Sequence, residues 1–277
     1  MDRTIGALAS RPVICVEADM PVIEALRLMS ARRISCVVVL LDGEPVGILT
    51  ERDVVFAANW VIGQPGLLIR EVMSKPVLTA AAECTVTDAY RLFRENDVRH
   101  LVVLGAQMEL FGIFTKTDLV RAFQGTIFAE TPDVRPLMSS HVLRVTPQVS
   151  ARHALSLMAS HAISGVVVAE GPQPLGVFSE RDAVRLVVGD LDLASLPVSA
   201  AMTTTIVTVP VTTSPSRALE LMRNHDVRRL LVVDGEGALT GVLTQTDLSR
   251  VFERREPVPG DRLVDASPAP GYPVVFN

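Results

Sequence analysis

Gly47-Ile48-Leu49-Thr50-Glu51-Arg52-Asp53 is one of four copies of a single phrase: glycine, two apolar residues, Ser or Thr, two variable residues, aspartate. The others are Gly112-Ile113-Phe114-Thr115-Lys116-Thr117-Asp118, Gly176-Val177-Phe178-Ser179-Glu180-Arg181-Asp182 and Gly241-Val242-Leu243-Thr244-Gln245-Thr246-Asp247. Their aspartates lie 65, 64 and 65 residues apart. Self-similarity at a fixed period is the mark of a repeat architecture, so one structural unit is written four times.

Working outward from the phrase, each unit carries the same signals in the same order. A short apolar strand is expected first, at Val13–Val16, Pro76–Leu78, Val142–Val145 and Ile206–Val209. A helix follows. Val22, Ala25, Leu26 and Met29 fall at i, i+3, i+4 and i+7, one face of an α-helix. Thr85-Val-Thr-Asp88 reads as a capping box ahead of Ala89, Leu92 and Phe93. Ser214-Pro215 supplies an N-cap with proline at the first helical position. Two strands joined by a polar turn come next. Val37–Leu41 turns at Asp42-Gly43 into Pro45–Leu49, and Leu230–Val233 turns at Asp234-Gly235 into Leu239–Leu243. The Ser/Thr-x-x-Asp phrase then opens a second helix, so each unit reads β-α-β-β-α.

Odd and even copies differ. The first and third share Ile-Ser before the second strand (Ile34-Ser35, Ile163-Ser164) and Arg before the aspartate (Arg52, Arg181). The second and fourth share Asp-Val-Arg (Asp97-Val98-Arg99, Asp226-Val227-Arg228) and Thr-x-Thr-Asp-Leu. A two-repeat unit was therefore itself doubled, and paired units are expected to pack sheet to sheet. Two modules are expected, 1–128 with repeats at about 8–62 and 70–126, and 129–255 with repeats at about 135–190 and 199–255. Residues 256–277, rich in Pro and Gly, read as a linker or tail.

The order, the spacing and the Gly-φ-φ-Ser/Thr-x-x-Asp phrase resemble CBS (cystathionine-β-synthase) motifs, and a pair of them resembles a Bateman module. The resemblance covers nearly the whole chain except the tail. It implies an α/β (α+β) fold of four motifs in two modules, in a disc-like arrangement within one chain or between two. It also implies a regulatory function: binding of adenosine-containing ligands in clefts between paired motifs.

Composition bounds the remaining possibilities. Apolar residues make up 48% of the 277 and aromatics 4%, so the core is built from aliphatic side chains and methionine. A net charge of −5 argues against a general nucleic-acid binder. Cys15, Cys36 and Cys84 are too scattered for a zinc or disulfide framework and fit a reducing compartment. No signal peptide or bilayer-length apolar run is visible, and a cytoplasmic protein without membrane contact is expected. The 24 Arg against 2 Lys read as the coding bias of a GC-rich, bacterial genome. His141, His153, His161 and His225 show no metal spacing and read as surface or loop residues, whereas Met29, Met158 and Met222 belong to helix faces of the core. No catalytic triad, HExxH, P-loop or dinucleotide fingerprint occurs, so neither an enzyme nor an obligatory cofactor is expected.

The repeated phrase has two chemical readings. As local structure, the hydroxyl caps the first turn and the acid complements the positive helix end. As a site, one carboxylate accepts hydrogen bonds from both hydroxyls of a ribose, and the neighbouring helix N-terminus favours phosphate. The resemblance assigns the ribose role to Asp53, Asp118, Asp182 and Asp247, with Thr50, Thr115, Ser179 and Thr244 as ribose or phosphate contacts. The resemblance also implies that Arg99-His100 and Arg228-Arg229, just before the second strands of the even copies, reach phosphates in the central cleft. Ser35-Cys36 and Ser164-Gly165 replace them in the odd copies, where Arg52 and Arg181 compensate from the helix start, as Lys116 does in the second copy. The regulatory ligand implied is AMP, ADP, ATP or S-adenosylmethionine. Two other classes fit the same residues: a ligand-free dimerisation scaffold in which the phrase only caps helices, and the sensory region of a longer enzyme whose output domain follows the tail.

Overall fold

The structure, a computed structural model, describes residues 3–61, 64, 66–122, 128 and 130–254. The expected tail, 256–277, lies outside the described residues.

Each repeat forms a three-stranded sheet with two helices. The first contains β1 (Cys15–Glu17), α1 (Val22–Arg32), β2 (Cys36–Leu41), β3 (Glu44–Thr50) and α2 (Glu51–Val61). The second contains β4 (Thr79–Ala81), α3 (Val86–Glu95), β5 (His100–Leu104), β6 (Leu110–Thr115) and α4 (Lys116–Ala122). The third contains β7 (Arg144–Val145), α5 (Ala151–Ser160), β8 (Gly165–Glu170), β9 (Gln173–Ser179) and α6 (Glu180–Val188). A short α7 (Val198–Ala201) precedes the fourth, which has β10 (Thr208–Pro210), α8 (Pro215–Asn224), β11 (Arg229–Val233), β12 (Leu239–Thr244) and α9 (Gln245–Leu248). In every sheet the first strand runs parallel to the second, and the second pairs antiparallel with the third. The same register shift recurs in each hairpin, at Val39/Leu40, Val103/Leu104, Val168/Ala169 and Val232/Val233.

The helix signals act as read. Val22, Ala25, Leu26 and Met29 are buried. Thr85, Ser150 and Ser214 each accept a hydrogen bond from a backbone N–H of the first turn, filling one of the donors a helix start leaves open. Asp42 and Gly43 have φ of 53° and 84°, the left-handed pair that a tight hairpin requires. Two expectations shift. The first strands start later than their apolar runs: Pro76–Leu78 precedes β4 altogether, because pairing with β5 begins at Thr79. In the last hairpin the positive φ falls on Gly237, at 80°, not on Gly235, because Asp234 Oδ1 accepts from the N–H groups of Glu236 and Ala238 and winds a longer loop.

Sheets pack in pairs. Cys36 and Val38 of the first meet Val102, Leu104 and Ile113 of the second. Val167, Ala169 and Val177 of the third meet Leu231 and Leu239 of the fourth. Each fully buried Val or Leu contributes about 1.5–3 kcal/mol relative to exposure. Helices join the two pairs: α2 packs on α6 and α4 on α9.

The sequence reading missed an exchange of segments between paired repeats. The turn Ile5–Ala7 precedes the first repeat but lies in the core of the second, with Ile5 against Val86, Phe93 and Leu101. Ile69, ahead of the second repeat, packs into the core of the first. Val134 and Leu137 serve the fourth repeat, and Val198 and Ala201 the third. After each turn the chain forms a two-residue bridge to the outer strand of the repeat it serves: Ser10 with Ile113, Ser74 with Ile48, Ser139 with Val242 and Thr203 with Val177. This covers an otherwise open sheet edge. It also explains the glycine that begins each phrase. A Cβ on Gly47, Gly176 or Gly241 would lie 2.5, 2.6 or 2.8 Å from the sulfur of Met73, Met202 or Met138.

Candidate functional site

Each Ser/Thr-x-x-Asp phrase builds the first turn of a helix. The N–H and hydroxyl of Thr50, Thr115, Ser179 and Thr244 donate to Oδ2 of the aspartate three residues on, at 2.6 to 3.0 Å. In three copies the aspartate N–H returns a bond to the Thr hydroxyl. The carboxylate half of the cap therefore forms in all four copies and the hydroxyl half in three, and Oδ2 is taken up in each.

Oδ1 separates odd from even. Asp53 Oδ1 accepts from Ser74 Oγ at 2.7 Å. Asp182 Oδ1 accepts from Thr203 Oγ1 and Arg185 Nη2, both at 3.1 Å. Ser74 and Thr203 are the residues after the inserted methionines, so the exchanged segments lock the odd aspartates. In the even copies Asp247 Oδ1 meets, among the described residues, only the half-exposed Arg250, at 3.2 Å. No hydrogen bond from a described residue reaches Asp118 Oδ1. Burial pushes the Asp53 and Asp118 carboxyls above the ordinary value, outweighing their hydrogen bonds.

A cavity of about 730 Å³ lies among the four repeats, within the size range of small-molecule sites. Asp118 and Asp247 line it with Thr115, Thr244, Lys116, Arg52, Arg99, His100, Arg181, Arg228 and Arg229. Thr50, Asp53, Ser179 and Asp182 stand outside this lining. The four aspartates that the period makes equivalent are thus two cavity-facing and two tied down. Ser10 and Ser139, the counterparts of Ser74 and Thr203, also face the cavity.

Two carboxylates that the sequence reading passed over sit in its wall. Glu51 and Glu180 occupy the first variable position of the odd phrases and are only 3% and 4% exposed. Glu51 pairs with Arg181 at 3.3 Å and Arg228 at 2.6 Å. Glu180 pairs with Arg99 at 3.1 Å and Arg52 at 3.6 Å. The signal was the contrast with Lys116 and Gln245 at the same position in the even copies. Gln245 instead accepts from Thr117 Oγ1 across the α4–α9 contact.

The two halves of the cavity differ in charge. His100 lies 3.2 Å from Ser35 Oγ. Burial, then Arg99, Arg228 and Arg52, lower its pKa to about 3, so it is neutral at pH 7. Its counterpart Arg229 donates to the Ser164 carbonyl at 2.9 Å, over Gly165, where a Cβ would collide with the guanidinium. Burial and Arg228 lower the Arg229 pKa to about 10, which leaves it charged. Among the described residues no cluster of His, Cys, Asp or Glu could hold a metal ion, and no helix is long and apolar enough to cross a membrane.

Four β-α-β-β-α units in two sheet-to-sheet pairs, with a charged cavity among them, define a tandem-repeat protein built around a shared cleft. The model of the CBS domain matches residues 5–59, 69–125, 134–189 and 198–254, and the chain belongs to the CBS domain family. The uncharacterized protein MJ1404 of Methanocaldococcus jannaschii is 26% identical over 212 residues, which span 74% of this chain and 49% of that protein. The CBS domain-containing protein YhcV of Bacillus subtilis is 32% identical over 117 residues, 42% of this chain and 82% of that one. The crystal structure of MJ1225 from M. jannaschii, described as a proposed archaeal homologue of g-AMPK, superposes with a TM-score of 0.81 at 18% identity, covering 90% of this chain and all of that one. That likeness is one of fold.

Proposed function

We propose that this protein is a regulatory sensor, not an enzyme, and that it binds an adenosine-containing ligand such as AMP, ADP, ATP or S-adenosylmethionine in the central cavity. One observation carries the reading: Asp118, with Oδ1 open to accept from a ribose diol, faces the same cavity as the guanidinium groups of Arg99, Arg228 and Arg229. A carboxylate for the sugar and cations for a phosphate are the two charge-assisted contacts a nucleotide needs. Asp247 plays the sugar role in the fourth repeat once Arg250 swings aside, and Lys116 and His100 lie beside the phosphate position. Residues 1–128 and 129–255 act as two modules whose relative position the ligand biases. It does so only by its different affinity for the two arrangements. The setting proposed is the cytoplasm of a bacterium, and the receiver of the signal is a partner protein or an attached output domain.

A ligand that binds the native state at 100 times its Kd adds about 2.7 kcal/mol, a rise in Tm of roughly 5–10 °C for a chain of this size. Thermal unfolding with each of the four compounds tests this. At least one is expected to raise Tm, and Asp118→Ala is expected to abolish the rise; losing the Thr115 cap lowers Tm without ligand, but by less than the loss of an odd aspartate, which holds a further partner. Asp53→Ala and Asp182→Ala are expected to lower Tm without ligand, because each strips partners from Ser74 or Thr203. No rise with any compound overturns the reading. The scaffold alternative is favoured by one observation: in the odd copies both oxygens of the aspartate are engaged by bonds within the protein.

A further inference from the structure

Glu51 and Glu180 are placed where a bound anion would compete with them. Both are buried, both line the cavity, and between them they hold Arg52, Arg99, Arg181 and Arg228. Every one of these pairs crosses between the two halves of the chain. Glu51 of the first repeat reaches Arg181 of the third and Arg228 of the fourth, and Glu180 of the third reaches Arg52 of the first and Arg99 of the second. A guanidinium presents a planar fork that suits carboxylate and phosphate alike, so one oxyanion replaces the other without a change of donor. Removing a buried carboxylate's partners is costly, so the exchange opposes anion binding. The even copies have Lys116 and Gln245 at this position and offer no such competitor.

We propose that Glu51 and Glu180 are specificity-determining residues: internal competitors that phosphate groups of the ligand must displace from the four arginines, loosening the ties between the two halves as they do so. The inference rests on the reading of the cavity as the ligand site. The glutamates set how strongly the cavity favours phosphorylated over unphosphorylated ligands, and they make occupation of the arginines the same event as release of the cross-links.

The test is calorimetric titration of the full chain and of E51Q, E180Q and the double variant with adenosine, AMP and inorganic pyrophosphate. Glutamine keeps the size of the side chain and removes the charge. Glu51→Asp keeps the charge but withdraws it by one methylene, and serves if loss of the charge prevents folding. Glu24→Gln, on the exposed face of α1, controls for the change of net charge. Each single cavity variant is expected to bind AMP and pyrophosphate at least tenfold more tightly than the wild type. Adenosine should change less than twofold, and E24Q should match the wild type. An unchanged AMP-to-adenosine ratio in E51Q and E180Q overturns the inference and leaves the proposed function standing. If neither adenosine nor AMP binds, yet pyrophosphate binds the Gln variants more tightly, the inference stands and the adenosine reading falls. Failure of pyrophosphate to bind any of these proteins overturns the inference.

Discussion

Lowering the pH from 7 to 5 should destabilise this protein through one side chain, His100. Its ring is partly buried in the cavity wall beside Ser35, where desolvation and then the charges of Arg99, Arg228 and Arg52 oppose protonation, and its pKa falls from 6.5 to about 3. The unfolded chain takes up the proton as pH falls through 6.5, and the folded chain does not until about 3. The unfolded state thus binds more protons throughout that window, and stability drops as pH falls. At pH 5 the unfolded histidine is about 1.5 pH units below its pKa and the folded one is still neutral, a cost of about 2 kcal/mol at 1.36 kcal/mol per unit. At pH 7 the cost is about 0.2 kcal/mol. Urea unfolding of the wild type and of His100→Gln at both pH values isolates this contribution, since glutamine can still bond to Ser35 but does not titrate. The wild type is expected to lose about 2 kcal/mol more than the variant between pH 7 and pH 5. Equal losses in the two proteins would refute the assignment of a neutral histidine in the cavity wall.

Two further outcomes are expected. Gly176→Ala should destabilise by about 1–3 kcal/mol, because its Cβ would stand 2.8 Å from the Thr203 carbonyl and 2.6 Å from the Met202 sulfur; chemical denaturation reads this, and Met202→Ala in the same chain should recover only part, since the carbonyl remains. Burial raises the Cys36 thiol to about 12 and Cys84 to about 11, so at pH 8 neither should react with iodoacetamide within minutes in the native protein. Both should react promptly in urea, as mass spectrometry of the labelled peptides would show.

The architecture was legible because its signals are local and repeated. Capping at Thr85 and Ser214, the apolar face of α1 and the Asp42-Gly43 turn each depend on residues within a few positions of one another, and a period of 65 multiplied the signal. The first strands were placed less well because a three-residue parallel strand has no room for a period of its own; β4 is fixed by β5, twenty residues away. The exchanged turns were invisible for the same reason. Ile5 and Ile69 read as ordinary apolar residues, and only the recurrence of Met73-Ser74, Met138-Ser139 and Met202-Thr203, 65 and 64 residues apart, marks a second repeated phrase. At the candidate site, the period made four aspartates look alike. Ser74 and Thr203, brought in from far along the chain, set two of them apart. Glu51 and Glu180 resemble ordinary acids of a helix's first turn. Tertiary packing turned them inward against arginines of other repeats.

The crossing of the leading turns has a consequence for how such chains grow and are made. A single repeat cut out at its own borders carries a strap that fits its neighbour and lacks the one that closes itself, so neither half of a pair is a finished object. During synthesis the first repeat stays unlatched until Ile69 and Met73 have left the ribosome, whereas the strap for the second, Ile5–Ala7, emerges ahead of the repeat it closes. Lengthening or shortening by one copy would leave a strand edge bare, whereas adding a couple leaves none. The alternation of odd and even phrases along the chain is the trace of that rule: the heritable building block is the buckled pair.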